Sequence, residues 1–141
     1  MAASELSDNR EPRLGTLSVV RPAETGAKSE FETFIKITAD GAVTAFNGHV
    51  DLGTGIRTAL GQIVAEELDV SLARVVVVLG DTSRVPNQGA TIASETIQVS
   101  AVPLRRAAAH ARQFLLARAA EPAARITART ISICAPHRQR L

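Results

Sequence analysis

A chain of 141 residues, with 45% hydrophobic and 21% charged residues, is ordinary material for one domain with a modest core. It has no Trp, no Tyr and four Phe, so its core is aliphatic and it offers little for base stacking; no nucleic-acid partner is expected. The net charge of +2 divides unevenly: through Glu95 there are eight Lys or Arg against thirteen Asp or Glu, and beyond it eight Arg against Glu121 alone.

Residues 1–30 are polar, rich in Glu, Ser, Arg and Pro, and aperiodic. They read as an extended or disordered lead-in. They lack the charged-then-apolar layout of a secretory signal, and no apolar run is long enough to span a membrane, which points to the cytoplasm. Thr33 to Thr38 is β-branched and alternating, and Asp40-Gly41 follows as a hairpin turn signal. Ala42 to Val50 continues as the return strand, with Val43, Ala45 and Asn47 on one face and Thr44, Phe46 and Gly48 on the other.

A turn punctuated by Gly53 and Gly55 comes next. Beyond it Ile56, Leu60, Ile63, Val64 and Leu68 recur at helical spacing, with Arg57, Glu66 and Glu67 off the stripe. Val75 to Leu79 is a continuous apolar run, which suits a strand covered on both faces. Thr82 to Thr91 is a polar loop punctuated by Pro86 and Gly89. A second helix is predicted from Ala93 or Ser94, with Ser94 as its cap. Its stripe is Ile97, Ala101, Leu104, Ala108, Ala111 and Leu115, spaced 4, 3, 4, 3, 4. Pro103 either kinks this helix or opens the second of two pieces. Arg105, Arg106, Arg112 and Arg118 point away from the stripe. The order of elements is β-hairpin, helix, strand, helix: an α/β (α+β-like) unit with a short mixed sheet. Three regions follow: the lead-in at 1–30, the folded unit at 31–120 and an irregular basic tail at 121–141.

Chemistry concentrates at the glycine turn. Glycine permits positive φ and close approach of a ligand to the backbone. A helix start offers free N–H groups and the positive end of a dipole. Gly53, Thr54 and Gly55 therefore form either a cradle for a phosphate or oxo group or a ligand-free strand-to-helix turn. His49 and Asp51 sit beside it, on the same side of an extended strand end. They read as a base with an orienting carboxylate, or as a hydrogen-bonded pair that shapes the turn. Gln88, Asn87 and Thr91 are ligand-contacting types in a loop, where polarity is also the rule. The single Cys134 excludes an internal disulfide and a multi-cysteine cluster, and with His137 it gives too few ligands to close a metal site. Neither a P-loop nor a Gly-x-Gly-x-x-Gly fingerprint is present.

The sequence phrases themselves carry a resemblance. Gly48-His49-Val50-Asp51-Leu52-Gly53-Thr54-Gly55-Ile56-Arg57-Thr58, Gln62 to Leu68, Gly80-Asp81-Thr82, Pro86-Asn87-Gln88-Gly89 and Thr91-Ile92-Ala93-Ser94 resemble the molybdopterin-binding large subunit of the xanthine dehydrogenase/aldehyde oxidase family. The type is that of isoquinoline 1-oxidoreductase or nicotinate dehydrogenase large subunits. The resemblance spans roughly residues 31–118, with the motifs in order and correctly spaced, and it stops at about Ala124.

The resemblance implies a molybdenum-molybdopterin oxidoreductase that hydroxylates N-heterocycles or aldehydes with water as oxygen source. Electrons would pass to a [2Fe–2S] small subunit. Gly53, Thr54, Gly55, Gln88, Gly89, Thr91 and Ser94 would lie in the cofactor-binding wall. Many members carry Gln where this chain has Thr54, and a Thr hydroxyl is a shorter donor. The family's catalytic glutamate lies in a segment with no match here, so neither a catalytic residue nor a metal ligand is assigned. The expectation is an N-terminal piece, truncated or frameshifted in its tail, that binds the cofactor weakly and has no turnover alone. Such a piece would expose apolar surface shaped for a longer chain and would be prone to aggregate. The alternative is a non-catalytic interaction module that docks through Arg105, Arg106, Arg112 and Arg118.

Overall fold

The computed structural model describes residues 15–23, 31–120 and 129–132. Alternation of apolar residues builds its sheet. Strand β1 (Leu17–Pro22) pairs antiparallel with β2 (Phe31–Ile37), and β2 pairs antiparallel with β3 (Val43–Asn47). Asp40 makes the β2–β3 turn: its Oδ1 accepts the Thr38 hydroxyl at 2.5 Å and the Ala42 amide at 3.2 Å, and Gly41 adopts φ +79°. From β3 the chain passes through helix α1 (Ile56–Leu68) into β4 (Val75–Leu79), which lies parallel to β3. Helix α2 (Ala101–Ala119) follows, and β5 (Arg129–Ser132) returns parallel to β1. The strand order is β4-β3-β2-β1-β5, a mixed five-stranded sheet within an α/β fold.

The register explains which side is covered. Leu17, Ile37, Val43 and Val75 form one cross-strand row, and Val19, Ile35, Ala45 and Val77 the next. Both rows face the helices and join Leu60, Val64 and Leu68 of α1 and Leu104, Ala107, Ala108 and Ala111 of α2 in one core. The alternate row, Ser18, Lys36, Thr44 and Val76, faces the other way. A bulge between Val19 and Val20 skips Phe34, so Phe34 and Ile35 are both fully buried. The small alanines of α2 let it lie close to the sheet and to α1.

Three expectations are corrected. Residues 17–22, within the aperiodic lead-in, form a strand whose Leu17 and Val19 belong to the core. Its alternation is only a few residues long and polar neighbours mask it. The β4 run is covered on one face only: it is an edge strand, and Val76 is 62% exposed. The second helix does not start with a cap at Ser94. Ala93 and Ser94 take left-handed backbone angles, φ +50° and +57°, and the helix opens with a π turn over Thr96–Ser100. The wide turn shifts the phase of what precedes it. Thr96 and Ser100 are buried there, while Ile97, predicted on the stripe, is exposed. Pro103 sits in the first α turn after the π turn, where its missing N–H is tolerated. The rest of the lead-in, most of the tail and the Cys134–His137 pair lie outside the described residues.

Candidate functional site

The Gly53–Gly55 turn is built around one carboxylate. Asp51 Oδ1 accepts the amides of Gly53 at 3.0 Å, Thr54 at 3.0 Å and Gly55 at 3.2 Å, and Oδ2 accepts that of Arg57 at 3.2 Å. Gly53 and Gly55 have φ +89° and +75°, angles that favour glycine. A side chain at either would meet nothing within 4 Å, so the turn is open to approach. Thr54 is exposed, and its hydroxyl lies 3.4 Å from Asp51 Oδ1. The Arg57 amide first, then those of Gly53, Gly55 and Thr54, hold the Asp51 carboxyl below its ordinary range.

The loop after β4 is stitched to the strand end that feeds this turn. The Gly48 amide donates to Gln88 Oε1 at 2.8 Å, and the Val50 amide donates to the Thr91 hydroxyl at 2.9 Å. Gln88 Nε2 reaches on to the Ser100 carbonyl at 2.9 Å. Gly89, at φ +83°, has open space beside its Cα, and Ser94 is exposed. The glycine turn and the loop thus meet through the short strand end between Gly48 and Val50. Of the loop residues, Gln88 and Thr91 spend their side chains on this joint, and Gly89 and Ser94 face outward.

His49 and Asp51 do not form a pair. The His49 ring is 2% exposed. Its Nε2 donates to the Gln88 carbonyl at 3.3 Å, which in the neutral ring leaves Nδ1 to accept the Thr96 hydroxyl at 2.8 Å. With both nitrogens engaged and no access to solvent, the ring has no lone pair to offer a substrate. The base reading is replaced by a structural one, in which His49 ties β3 to the π turn.

Sequence reasoning missed several members of this polar cluster. Asn47 donates to Ser100 Oγ at 2.8 Å and accepts the His49 amide at 3.0 Å. Thr96 and Ser100 reach it only because the π turn rotates them inward. Glu32 accepts the Asn87 amide at 2.8 Å and Arg21 Nε at 2.7 Å, while Arg21 also donates to the Asn87 carbonyl at 3.1 Å. Asn47, polar on the face of Val43 and Ala45, was an available signal; Glu32 alternates with Phe34 and Lys36 in the sequence, and the bulge that skips Phe34 turns it to the side of Val19. On the outer side of α2, Arg105 pairs with Glu67, and Arg112 with Asp69 at 3.3 Å. Arg105 and Arg112, both proposed for docking, are therefore engaged within the chain. Among the described residues, no group of three or more His, Cys, Asp or Glu is placed to hold a metal ion, and no helix is long and apolar enough to cross a membrane.

The sequence matches the molybdopterin cofactor-binding domain over residues 10–136. The chain belongs to this molybdopterin cofactor-binding family. The match runs past both ends of the 31–118 stretch that carries the resemblance, and past Ala124, where the resemblance was expected to stop. Strands β1 and β5, paired with each other, lie in those added regions. A nicotinate dehydrogenase subunit of Pseudomonas putida is 66% identical over 96 residues, which cover 68% of this chain and 8% of that protein. A probable xanthine dehydrogenase subunit of Bacillus subtilis is 38% identical over 60 residues, covering 43% of this chain and 8% of its own length. The gamma subunit of the 6-hydroxypseudooxynicotine dehydrogenase complex of Paenarthrobacter nicotinovorans is 34% identical over 79 residues, 55% of this chain and 10% of its own. The chain thus matches a tenth or less of the length of each of these relatives.

Proposed function

We propose that this chain supplies one wall of a molybdenum-cofactor site in an oxidoreductase acting on N-heterocycles or aldehydes. The observation that carries the reading is the joint at Gly48–Gln88 and Val50–Thr91, which brings the glycine turn and the 86–94 loop together at one edge of the fold. The resemblance implies that both segments lie near the cofactor. The chain fits the group in part. Gly53, Gly55 and Gly89 leave their Cα faces open, and Thr54 offers a hydroxyl beside them. Next to them in the chain Val50, Leu52 and Ile92 are exposed, apolar surface suited to burial under further protein.

The molybdenum centre, when bound, supplies the two-electron oxidation of the substrate with water as oxygen source, and electrons leave through a [2Fe–2S] partner. The residues of this chain bind and orient. Gly53 and Gly55 permit close approach, Thr54 donates a hydrogen bond, and Gln88 and Thr91 fix the distance between the two segments. Ser94 and Gly89 complete the rim. No base toward the substrate is assigned to this chain, so alone it has no turnover and holds the cofactor weakly.

A graft tests this. The matched segment of the Pseudomonas putida nicotinate dehydrogenase subunit is replaced by residues 31–118 of this chain, and molybdenum is measured by mass spectrometry. Retained molybdenum supports the wall reading. A folded chimera without molybdenum overturns it, as does stoichiometric molybdenum with hydroxylase activity in the chain alone.

A further inference from the structure

A helix start that follows a glycine turn ordinarily suggests a seat for a phosphate, because its free amides point outward and the dipole favours an anion. Here that seat is taken. The amides of Gly53, Thr54, Gly55 and Arg57 all converge on the two oxygens of Asp51. A phosphate on the same amides would have to displace the carboxylate or sit against it, and two anions at contact distance repel.

We propose that Asp51 is a positioning residue that fills the anion seat at the start of α1 with the chain's own carboxylate. It holds the turn in its working shape before any cofactor arrives. The turn then meets a ligand through the Thr54 hydroxyl and the bare Cα faces of Gly53 and Gly55, and not through its amides. Its amides, engaged by Asp51, are closed to a phosphate group.

Three observations besides the bonding carry this. Both glycines have nothing within 4 Å of the position a Cβ would take, so the approach is from the Cα side. Their positive φ angles, +89° and +75°, turn those Cα faces outward while the amides point back to Asp51. The Thr54 hydroxyl is 3.4 Å from Asp51 Oδ1, a long contact, so it is free to rotate toward a ligand at small cost. The proposal rests on the molybdopterin reading for what approaches the turn, but the part played by Asp51 stands on this chain alone.

The test is amide NMR on the 141-residue chain, with inorganic phosphate as the probe. In the native protein, phosphate leaves the Gly53, Thr54, Gly55 and Arg57 amide signals in place. In Asp51→Ala, hydrogen exchange at these amides rises about fivefold or more, the worth of one ordinary hydrogen bond. Phosphate then moves their signals, while Leu60 and Val64 keep their protection. Asp51→Asn, which still presents a side-chain oxygen, restores part of the protection. Lowering the pH moves the four signals together along one titration, a response that a purely packing role would not give. Phosphate-dependent shifts at these amides in the native chain overturn the proposal, and so does unchanged exchange in Asp51→Ala. Failure of the molybdopterin reading would appear separately, as loss of molybdenum from the grafted enzyme with the NMR results intact.

Discussion

The Gln88 side-chain oxygen lies 2.8 Å from the backbone nitrogen of Gly48, forty residues earlier in the chain. The same side chain gives its nitrogen to the Ser100 carbonyl, so one amide group ties the end of β3, the loop and the π turn. Gln88→Leu leaves the half-buried Gly48 N–H without this acceptor and takes one donor from the buried Ser100 carbonyl, which keeps Asn47 Nδ2 at 3.3 Å, and should cost about 1–3 kcal/mol. Gln88→Glu keeps the acceptor but sets a carboxylate against the Ser100 carbonyl, and should also destabilise. Urea unfolding monitored by circular dichroism measures both. Equal stability of all three proteins would mean that the joint is incidental.

Gly48 is required by space. Its φ is ordinary, but a Cβ there would collide with the Pro86 carbonyl oxygen and crowd the Gln88 nitrogen at 3.2 Å. Backbone atoms cannot rotate away as a side-chain tip can. Gly48→Ala should therefore destabilise by about 1–3 kcal/mol, the usual cost of overpacking. Gly53→Ala provides the contrast. It meets no atom within 4 Å and suffers only from its positive φ. A harmless Gly48→Ala would show that the loop does not pack on the strand end.

Ala93 and Ser94 hold left-handed angles without being glycine. Each such residue costs roughly 1–2 kcal/mol, partly offset in a glycine variant by greater freedom of the unfolded chain. Ala93→Gly should raise stability by about 0.5–1 kcal/mol, and Ala93→Val should lower it. A rise in melting temperature with Val would contradict the backbone angles.

Acid should weaken the fold through three aspartates. The carboxyls of Asp40, Asp51 and Asp81 are all held below their ordinary value of 3.8: chiefly by the Thr38 hydroxyl, the Arg57 amide and the Ser83 hydroxyl, respectively. A lowered folded value means that stabilisation is complete above the unfolded value and is lost as pH falls through the folded one. Stability should therefore be flat from neutral pH down to about 5 and fall below about 4. Asp51→Asn should make that fall shallower. An acid limb of unchanged slope in this variant would contradict the assignment.

Arg21 and Glu32 clamp the loop from the far side, with Glu32 buried. Arg21→Met removes the charged partner and, among the described residues, leaves the carboxylate with the Asn87 amide. The expected loss is about 1.5–3 kcal/mol, the range for a hydrogen bond to a charged group. Proteolysis within 82–91 should become faster as the loop loosens. Unaltered cleavage would mean that the clamp does not hold the loop.

The hairpin, α1, β4 and the body of α2 were legible because each repeats a period over enough residues: Val43, Ala45 and Asn47 in one case, Leu60, Val64 and Leu68 in another. The start of α2 was not. A π turn inserts a residue into the period, so Ile97 was placed on the buried stripe and Thr96 and Ser100 were left out. Strand β1 was hidden because its buried positions, Leu17 and Val19, alternate too briefly to stand out from a polar stretch. At the site, the glycines and the loop were visible as types, but their bonding was not. A carboxylate two residues before Gly53 reads as a catalytic partner of His49 or as half of a pair that shapes the turn, and only geometry tells which amides it faces.

Strand β4 carries four consecutive valines at the rim of the sheet, with Val76 open to water. A flat aliphatic border of this kind is a template for a sixth strand, and a second copy of the same segment is the partner always at hand. Arg57 reaches over from α1 to the Val77 carbonyl and sets a charge beside that border, where it acts as a gatekeeper. The side chain of one helix thus guards the open border of the sheet, and a charge-removing change at Arg57 would leave four valines there without a guard.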